Sequence, residues 1–465
     1  MRTSTLWGAW AALAGLLQGC AVPVVGGDNL LSRAEERRIG RQVVAEVERE
    51  FKILDDPYLR AYLKGIGDRV GSAMGASQFE MTFHVVADPR INAFAVPGGH
   101  IFVTSQTVLV CQDESELAGV VAHEVGHAEA RHLAHRVQKA TKVNLAAMAA
   151  VLAGAFLSGS PQAGAAVAAF GVAGAQTKML QYSRADEEDA DRRAARALVA
   201  AGYDPWGLVR FMETIRRESP APQGVPAYLF THPLPENRSS YIADALRDPP
   251  RVRPDAAARG GLWRAQARVL AEDPRSWGVA TFRQRVAEHP ESVDARLGLA
   301  VLLRGQGRYE EALGLLAEAL ALAPGEPEVL HEAARVWLRR GNPGEGIARL
   351  EALRAAGAAP VPALRDLGWA YLEQERGDDA LAVYDELAAR DPEWERLSYH
   401  RGLALGKAGR EAEAHEALGD HYRDAGRPDL ARRHYEEAAR RLPAGDARAR
   451  VEQAMEGLRR GPEED

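Results

Sequence analysis

The sequence predicts an α+β region that is mainly helical with a small β-sheet, followed by an all-α region of stacked helix pairs. Residues 81–86 alternate apolar and polar positions and residues 101–104 are β-branched or aromatic, as in strands, whereas the flanking stretches have helical periodicity. In the second half, Pro290 and Pro324 are 34 residues apart, and Pro392 lies twice 34 residues further on. A proline-rich break at 248–254 separates the two patterns and indicates a domain boundary.

The length and composition are those of a globular protein with two or three domains. The chain has 465 residues, of which 46% are hydrophobic and 26% are charged. The net charge of -7, with acidic and basic residues mixed throughout, argues against a nucleic-acid partner. We predict a first domain over 30–247, a linker over 248–258 and a repeat domain over 259–460.

The N-terminus resembles a bacterial lipoprotein signal over residues 1–20. A basic residue precedes an apolar stretch at 6–17, and Gly19 stands directly before Cys20, as in a lipobox. The alternatives are an ordinary cleaved signal and an uncleaved anchor. We favour the lipoprotein signal, because a cysteine directly after the apolar stretch has little other explanation.

The signal has consequences for the mature protein. It predicts lipidation of Cys20, a small-residue tether over 21–29, and anchoring to a membrane on its periplasmic side. Ala21 after the cysteine resembles outer-membrane lipoproteins. Cys111 is then left without a partner for an intrachain disulfide.

Two helices are predicted at the start of the first domain. Ser32 followed by Glu35 has capping-box spacing and opens a helix that runs to about Phe51. A second helix is predicted from about Pro57 to Met74, with its apolar residues on one stripe. We expect both helices to pack in the core.

The strands follow these helices at 81–86 and 101–104. Between them, the segment 92–100 contains a proline and paired glycines, which favour a plain hairpin. The alternative is an unpaired sheet edge that holds an extended peptide by β-augmentation. His84 and His100 are expected to be structural or exposed.

A motif of metallopeptidase type lies in the next predicted helix. His123 and His127 are four residues apart, so they share one helix face and can offer two imidazole nitrogens to one metal. Glu124 lies one position round the helix, where it can act as a general base without filling a coordination position. A chance match is the alternative, and a third ligand decides between the two.

The third ligand is predicted in an acidic helix start. Glu187 and Asp191 are four residues apart, on the same face as the apolar Ala190. A carboxylate on the core side of a helix needs a partner, and a metal is the strongest one available. We therefore assign Glu187 as the third ligand and Asp191 as the acceptor that orients a ligand imidazole.

An alanine- and glycine-rich stretch at 145–175 lies between the two ligand helices. Its two apolar runs each have 13 residues, fewer than the roughly 18 to 20 that a membrane-spanning helix needs. We interpret it as a buried or flexible helical hairpin rather than a membrane insertion. Its position makes it a candidate lid over the site.

Five short segments carry a family resemblance: 92–99, 123–127, 183–184, 190–191 and 231–233. With them, residues 30–245 resemble the gluzincin peptidases of the CAAX-prenyl-endopeptidase type. The resemblance implies that Glu187 is the third zinc ligand. Asp189 is a departure, because the family usually has glutamate there, and we expect its side chain to face away from the ligands.

His232, with Pro233 and Arg238 after it, also matches the family pattern. A histidine near a catalytic zinc can stabilise the oxyanion of the tetrahedral intermediate, and Arg238 could do the same. It can also occupy the fourth coordination position. We expect His232 to do the second in the resting state; the alternative is a loop histidine that caps a helix.

The 34-residue period is that of tetratricopeptide repeats, which stack helix pairs into a solenoid with a concave binding face. Gly346 stands where the phase requires alanine, so the second unit is degenerate. The positions that keep the phase are Ala312, Ala380, Ala414, Gly307, Gly341 and Gly409. Four aromatic residues are expected in the core of the repeats: Trp337, Trp369, Tyr371 and Tyr384.

Together the residues predict a zinc endopeptidase. Zn²⁺ would be held by His123, His127 and Glu187 and would lower the pKa of a water molecule toward about 7. Glu124 would take the proton as this water attacks the peptide carbonyl and would deliver it to the leaving amine. His232 or Arg238 would stabilise the oxyanion.

With its anchor and repeats, the whole chain resembles the family of BepA-like periplasmic proteases. The resemblance implies a role in assembly and quality control of outer-membrane β-barrel proteins. Expected partners are unfolded or misassembled proteins and, through the repeats, the β-barrel assembly machinery; no nucleic acid is expected. The alternative is a non-catalytic chaperone or scaffold whose repeats dock on an assembly machine.

Overall fold

The computed structural model describes residues 31–75, 79–139, 182–218, 228, 232, 238–246, 256–272, 277–392, 394 and 396–460. Its first region is α+β, as predicted. The elements of this region, in chain order, are α1 (Arg33–Glu50), α2 (Pro57–Met74), β1 (Thr82–Val86), β2 (Ala93–Val96), β3 (His100–Thr104), α3 (Ser105–Val110), α4 (Glu114–Glu129), α5 (His132–Lys139), α6 (Arg184–Ala200), α7 (Gly207–Glu218) and α8 (Arg238–Leu246).

Both N-terminal helices begin where the sequence predicts. Ser32 Oγ accepts a hydrogen bond from the Glu35 N–H at 3.2 Å, and Glu35 Oε2 accepts one from the Ser32 N–H at 2.8 Å. Helix α2 follows Asp56, whose Oδ1 accepts hydrogen bonds from the N–H groups of Tyr58 and Leu59 at 2.9 and 3.0 Å. The apolar stripes of both helices are buried, so the predicted core packing is confirmed.

The three described strands form one sheet in the order β1-β3-β2. Strand β3 pairs antiparallel with β2 and parallel with β1. The β2–β3 hairpin turns through Gly98 and Gly99, both at φ 88°, a conformation that favours glycine. The predicted hairpin is present, and β2 is also an edge of the described sheet. The sequence pattern did not predict the parallel pairing of β1.

Helix α4 lies at the centre of the first region. It is buried from Glu114 to His127 and packs against α2, α6, α7 and β2. Gly119 allows the close approach of α7, because a Cβ at this position would lie 2.6 Å from the backbone nitrogen of Leu208. The predicted metal-binding helix is therefore enclosed on several sides by the core.

The described residues of the second region form helices and the turns between them, with no strand. Helix α9 belongs to both regions, because Leu262 and Val269 pack in the core of the first and Leu270 packs against the helices that follow. It begins at Ala256, inside the segment predicted as a linker. The helices are α9 (Ala256–Glu272), α10 (Trp277–Glu288), α11 (Val293–Gly305), α12 (Tyr309–Leu322), α13 (Pro327–Arg339), α14 (Pro343–Ala355), α15 (Val361–Glu373), α16 (Gly377–Arg390), α17 (Leu397–Lys407), α18 (Glu411–Asp424), α19 (Pro428–Arg441) and α20 (Asp446–Arg460).

The 34-residue period corresponds to a turn between the two helices of a pair. Gly307, Gly341 and Gly409 occupy this turn with φ of 74°, 88° and 75°. The remaining position in the same phase holds Glu375, at φ 58°. The alanines that keep the phase are buried, as repeat packing requires: Ala312, Ala380 and Ala414.

The repeat packing agrees with the predicted degenerate position at Gly346 and contradicts the prediction for one aromatic residue. A Cβ at Gly346 would lie 2.6 Å from Leu338 Cγ, so the leucine takes the space that alanine fills in the other units. Tyr371 and Tyr384 are buried as predicted. The prediction is wrong for Trp369, which is 46% exposed, because its ring faces His400 of α17 instead of the core.

Among the described helices, none is both long enough and apolar enough to cross a membrane. Cys20 and the segment 145–175 lie outside the described residues. The lipidation of Cys20 and the lid therefore stay predictions, as do the domain limits.

Candidate metal centre

Two helices bring the predicted ligands together. Helix α4 carries His123 and His127, helix α6 carries Glu187, and the two helices pack against each other. Gly126 faces Ala190 of α6, and a Cβ on this glycine would lie 3.1 Å from the Ala190 carbonyl oxygen. The glycine inside the motif therefore lets the two ligand helices approach closely.

A capping box fixes the start of α6. Ser183 Oγ accepts a hydrogen bond from the Asp186 N–H at 3.1 Å, and Asp186 Oδ2 accepts one from the Ser183 N–H at 2.9 Å. Glu187 follows in the first turn, where the helix dipole favours a carboxylate. It is buried on the same face as Ala190 and Asp191, as the sequence predicts.

Four side chains place one donor atom each around a common centre. His123 Nε2 lies 3.0 Å from His127 Nε2 and 3.3 Å from His232 Nδ1. Glu187 Oε1 lies 3.3 Å from His127 Nε2 and 2.9 Å from His232 Nδ1. All four residues are buried, and their donor atoms lie within 4.8 Å of one another.

These separations fit a tetrahedral metal site. Four ligands at about 2.0 to 2.1 Å from a zinc ion in tetrahedral geometry are roughly 3.3 Å apart. The imidazole and carboxylate donors are also of the kinds that zinc prefers. The residues present can therefore hold a metal ion, with His232 as the fourth donor.

Asp191 supports one of the ligands. Its Oδ1 accepts a hydrogen bond from His123 Nδ1–H at 2.8 Å, and both side chains are fully buried. This bond places the proton of His123 on Nδ1 and leaves Nε2 available for a metal. The structure places Asp191 where its predicted orienting role requires it.

Glu124 lies beside the donor atoms without being one of them. It is fully buried, and its Oε1 lies 3.5 Å from His232 Nε2. Burial raises the pKa of its carboxyl more than the neighbouring His232 and His123 lower it. A buried carboxyl with a raised pKa is suited to take up and release a proton near neutral pH.

The surroundings shift the pKa values of the ligands in different directions. Burial alone would raise the pKa of Glu187, but His232 and His123 hold it well below its ordinary value. Burial would lower the pKa of His123, yet Asp191 and Glu187 raise it to about 9. Burial and the nearby His123 lower the pKa of His127. Without a metal, His123 thus carries a proton and a positive charge near neutral pH, and a bound cation would replace that proton.

Two tyrosines hold His232 against the cluster. The His232 N–H donates to the Tyr228 carbonyl at 2.9 Å, and the Tyr228 N–H donates to the Ile91 carbonyl, near the start of β2, at 3.3 Å. The Tyr228 ring stacks on His232 with centroids 4.6 Å apart. The Tyr182 ring stacks on His127 at 3.8 Å and on His232 at 5.1 Å. These contacts orient His232 toward the donor set.

The structure adds residues that sequence reasoning missed. Tyr182 directly precedes the cap of α6, and Tyr228 precedes His232 by one helical turn, so both are close in sequence to assigned residues. His132 Nδ1 lies 2.9 Å from His127 Nδ1. Its only sequence signal is its place five residues after the motif, which is not a same-face spacing on a straight helix.

Two further residues that the sequence singled out are Arg238 and Asp189. Arg238 begins helix α8, but its side chain lies outside the part of the chain that the structure describes. Asp189 is placed and faces away from the donor atoms, as expected: its Oδ2 lies 2.7 Å from Arg193 Nε and 3.3 Å from His132 Nε2.

The fold and the site define a metallopeptidase with a repeat domain. Residues 57–245 match the model of peptidase family M48. Residues 303–367 match one tetratricopeptide repeat model, and residues 278–327 and 365–418 match another.

Curated relatives extend over most of the chain. The Beta-barrel assembly-enhancing protease of Escherichia coli K12 is 29% identical over 368 residues, which cover 76% of this chain and 73% of the relative. The protein of the same name in Yersinia pestis is 30% identical and covers 69% and 67%. The Mitochondrial metalloendopeptidase OMA1 of Schizosaccharomyces pombe is 28% identical and covers 47% and 63%. The chain belongs to peptidase family M48 and is a metalloendopeptidase, so the family resemblance and the enzyme class predicted from the sequence are confirmed.

Proposed function

We propose that this protein is a zinc-dependent endopeptidase of the periplasm, anchored to the outer membrane by a lipid on Cys20. It degrades misfolded or stalled proteins during the assembly of outer-membrane β-barrel proteins. The observation that carries the proposal is the buried cluster of His123, His127 and Glu187 beside Glu124. The name of the Escherichia coli and Yersinia pestis relatives supports the β-barrel substrate class.

The chain's own residues divide the reaction among them. When bound, zinc supplies Lewis-acid polarisation of the peptide carbonyl and activation of water. Glu124 is the general base that takes a proton from the attacking water and returns it to the leaving amine. Its burial and raised pKa suit both transfers. Asp191 keeps His123 in the tautomer that binds the metal.

His232 latches the centre in the resting state. Its Nδ1 lies 2.9 Å from Glu187 Oε1 and 3.3 Å from His123 Nε2. These are the separations of metal ligands that share one ion, so His232 lies where a fourth ligand would. A peptide would have to displace this imidazole to reach the metal, since catalytic zinc needs an open position. His232→Ala is therefore expected to raise peptidase activity several-fold, whereas a loss of activity would favour the oxyanion role.

The repeat domain acts as an adaptor. Stacked helix pairs form a concave face that suits the binding of protein segments, here substrates or the β-barrel assembly machinery. The adaptor role extends the enzyme and does not compete with it.

Purified protein tests the catalytic part. Bound zinc is measured together with the degradation of reduced, unfolded casein by the parent and by Glu124→Gln, with Glu129→Gln on the same helix as the control. We expect Glu124→Gln to keep zinc and lose activity by about 10² to 10⁴-fold, the range for a lost general base. Equal degradation by parent and Glu124→Gln would remove the catalytic role.

The same experiment distinguishes the peptidase from the non-catalytic alternative. If the zinc-loaded parent and the His232→Ala variant both leave casein intact, the non-catalytic chaperone or scaffold becomes the better reading. If only His232→Ala degrades casein, the parent is a latched peptidase.

Cell fractionation tests the anchor. The parent protein should be found with the outer membrane and carry label from radioactive palmitate, whereas Cys20→Ser should lose the label. A parent protein without label, or with label that survives Cys20→Ser, would contradict the lipid anchor.

A further inference from the structure

His127, the second metal ligand of α4, contacts another histidine on the side of its ring that faces away from the donor cluster. His127 directs Nε2 into the donor cluster, while its Nδ1 lies 2.9 Å from Nδ1 of His132. His132 is the first residue of α5 and is 8% exposed. Both imidazoles are therefore held in the interior, with one ring nitrogen of each facing the other.

A strained residue places His132 there. Arg131 has φ 52°, a left-handed conformation that is uncommon for a side chain other than glycine. Its guanidinium donates to the buried Glu36 carboxylate and, at 2.5 Å, to the Leu31 carbonyl. The reversal at Arg131 ends α4 and brings His132 back beside His127, although five residues separate the two in sequence.

The hydrogen positions follow from chemistry. A metal at Nε2 of His127 requires the proton of that ring on Nδ1, so Nδ1–H donates to Nδ1 of His132. His132 must then carry its own proton on Nε2, which lies 3.3 Å from Asp189 Oδ2. The chain of contacts runs from the ligand His127 through His132 to a carboxylate.

This arrangement matches the support of the other ligand. Asp191 accepts directly from His123 Nδ1–H at 2.8 Å, and Asp189 is the acceptor two residues earlier on the same helix α6. Asp189 contacts His132, and His132 in turn contacts His127. Both ligand imidazoles of α4 are thus oriented from α6, one directly and one through a second histidine.

We propose that His132 is a positioning residue for the metal ligand His127, with Asp189 orienting His132. The inference deepens the proposed zinc site and rests on it. His132 accepts the Nδ1 proton of His127, fixes the ring orientation and tautomer, and thereby raises the affinity of the site for Zn²⁺.

Zinc affinity, measured on the purified full chain by competition with a chromophoric chelator, tests this role. His132→Leu removes the acceptor and should weaken zinc binding by about 10 to 100-fold, the range for lost outer partners of metal ligands. His132→Asn keeps an oxygen acceptor near the position of Nδ1 and should stay within about threefold of the parent. Asp189→Ala should fall between the two. His135→Leu, an exposed histidine on the same helix, is the control and should leave the affinity unchanged.

A second readout excludes a merely structural effect. The Co²⁺-substituted protein should show altered visible absorption bands in His132→Leu and parent-like bands in His132→Asn, because the bands report ligand geometry. Equal weakening by leucine and asparagine, or parent-like affinity in His132→Leu, would overturn the proposal. A parent protein that binds no zinc would overturn the proposed function as well, so the two failures are distinguishable.

Discussion

Two groups of buried charged side chains in this protein differ in how their charges are balanced. In the metal centre, the carboxylates of Glu187 and Asp191 contact imidazole rings, which are positive only when protonated. At the junction between the two regions, Arg268 of α9 pairs with Asp56 at 3.2 Å and with Glu328, and its side chain is 2% exposed. Arginine keeps its charge at any ordinary pH, so these partners are balanced permanently.

Other carboxylates at the junction are also paired with arginines. Arg264, also on α9, pairs with Glu328 at 2.6 Å and with Asp294. Burial would raise the pKa of Glu332, but Arg304 and Arg335 lower it to about 2. These groups satisfy one another and hold α9 against both regions.

The contrast teaches how to separate a structural cluster from a functional one. Both clusters are buried and hydrogen-bonded, so burial and pKa shifts alone do not distinguish them. In the junction, the protein supplies both signs of charge. In the metal centre, a proton or an external cation must complete the balance, and this requirement is what indicates a ligand.

Removing a ligand charge from the metal centre should have the largest effect. Glu187→Gln replaces a carboxylate with a neutral amide, and we expect zinc affinity to fall by more than about 100-fold, beyond the range of orienting residues. Casein degradation should be lost in parallel. Metal content after dialysis measures the change. Glu188→Gln, at the neighbouring position with a half-exposed side chain that pairs with Arg192, is the control, and a Glu187→Gln protein that retains stoichiometric zinc would contradict the assignment.

Breaking the junction should cost stability and leave the metal in place. Arg268→Met removes the buried arginine that pairs with Asp56 and leaves Glu328 with Arg264 alone, and we expect the free energy of unfolding to fall by about 3 to 5 kcal/mol. Urea unfolding measures this change. Arg308→Met, which breaks an ion pair of a 37% exposed arginine, should change stability by less than about 1 kcal/mol. Similar losses in the two variants would show that the junction is no stronger than a surface pair.

Acidification should weaken metal binding, because His123 must lose its proton to coordinate. Its pKa in the metal-free protein is raised to about 9 by Asp191 and Glu187 against the effect of burial. Zinc affinity should therefore rise by up to about tenfold per pH unit between pH 7 and 9 and level off above that. Calorimetry in buffers of different ionisation enthalpy should find about one proton released per zinc near pH 7.5. A pH-independent affinity over this range would contradict the balance described for the cluster.

The smallest effect concerns an exposed ion pair in the repeats. Glu375 has φ 58° and pairs with Lys407 at 2.5 Å on the surface. Glu375→Gly relieves the left-handed strain and loses an ion pair of small value, so we expect a gain of about 0.5 to 1 kcal/mol in unfolding free energy. Thermal unfolding measures it. Glu373→Gly, in the last position of α15, should have the opposite sign, because glycine disfavours a helix. A loss in both variants would mean that the ion pair outweighs the strain.

Local spacing carried most of what could be predicted. The four-residue spacings of His123 with His127 and of Glu187 with Asp191 fix shared helix faces, because helical geometry repeats over one turn. The 34-residue period likewise predicts the turns at Gly307, Gly341 and Gly409, since each repeat folds on the same local rules. These local features do not depend on how the helices pack against one another.

The remainder depends on segments that are distant in sequence. Trp369 is a large apolar residue of the kind expected in a core, and it is nevertheless exposed. The helices packed against α15 decide which side of α15 is buried. The sequence also did not predict that α9 would pack in two cores, or that β1 would pair parallel with β3. Each outcome is decided by packing partners that no local pattern specifies.

The sequence by itself therefore determined the chemistry of this protein: a helix with two imidazoles and a base, a second helix with a carboxylate ligand and its orienting partner, and a repeat domain. Only the tertiary structure decided what surrounds that chemistry. It placed His232, expected there from the family pattern, at the stated distances within the donor set, and it folded His132 back onto His127 through the left-handed Arg131. The physical reason is that residue spacing fixes geometry within one helix, whereas the approach of separate segments depends on how the whole core packs.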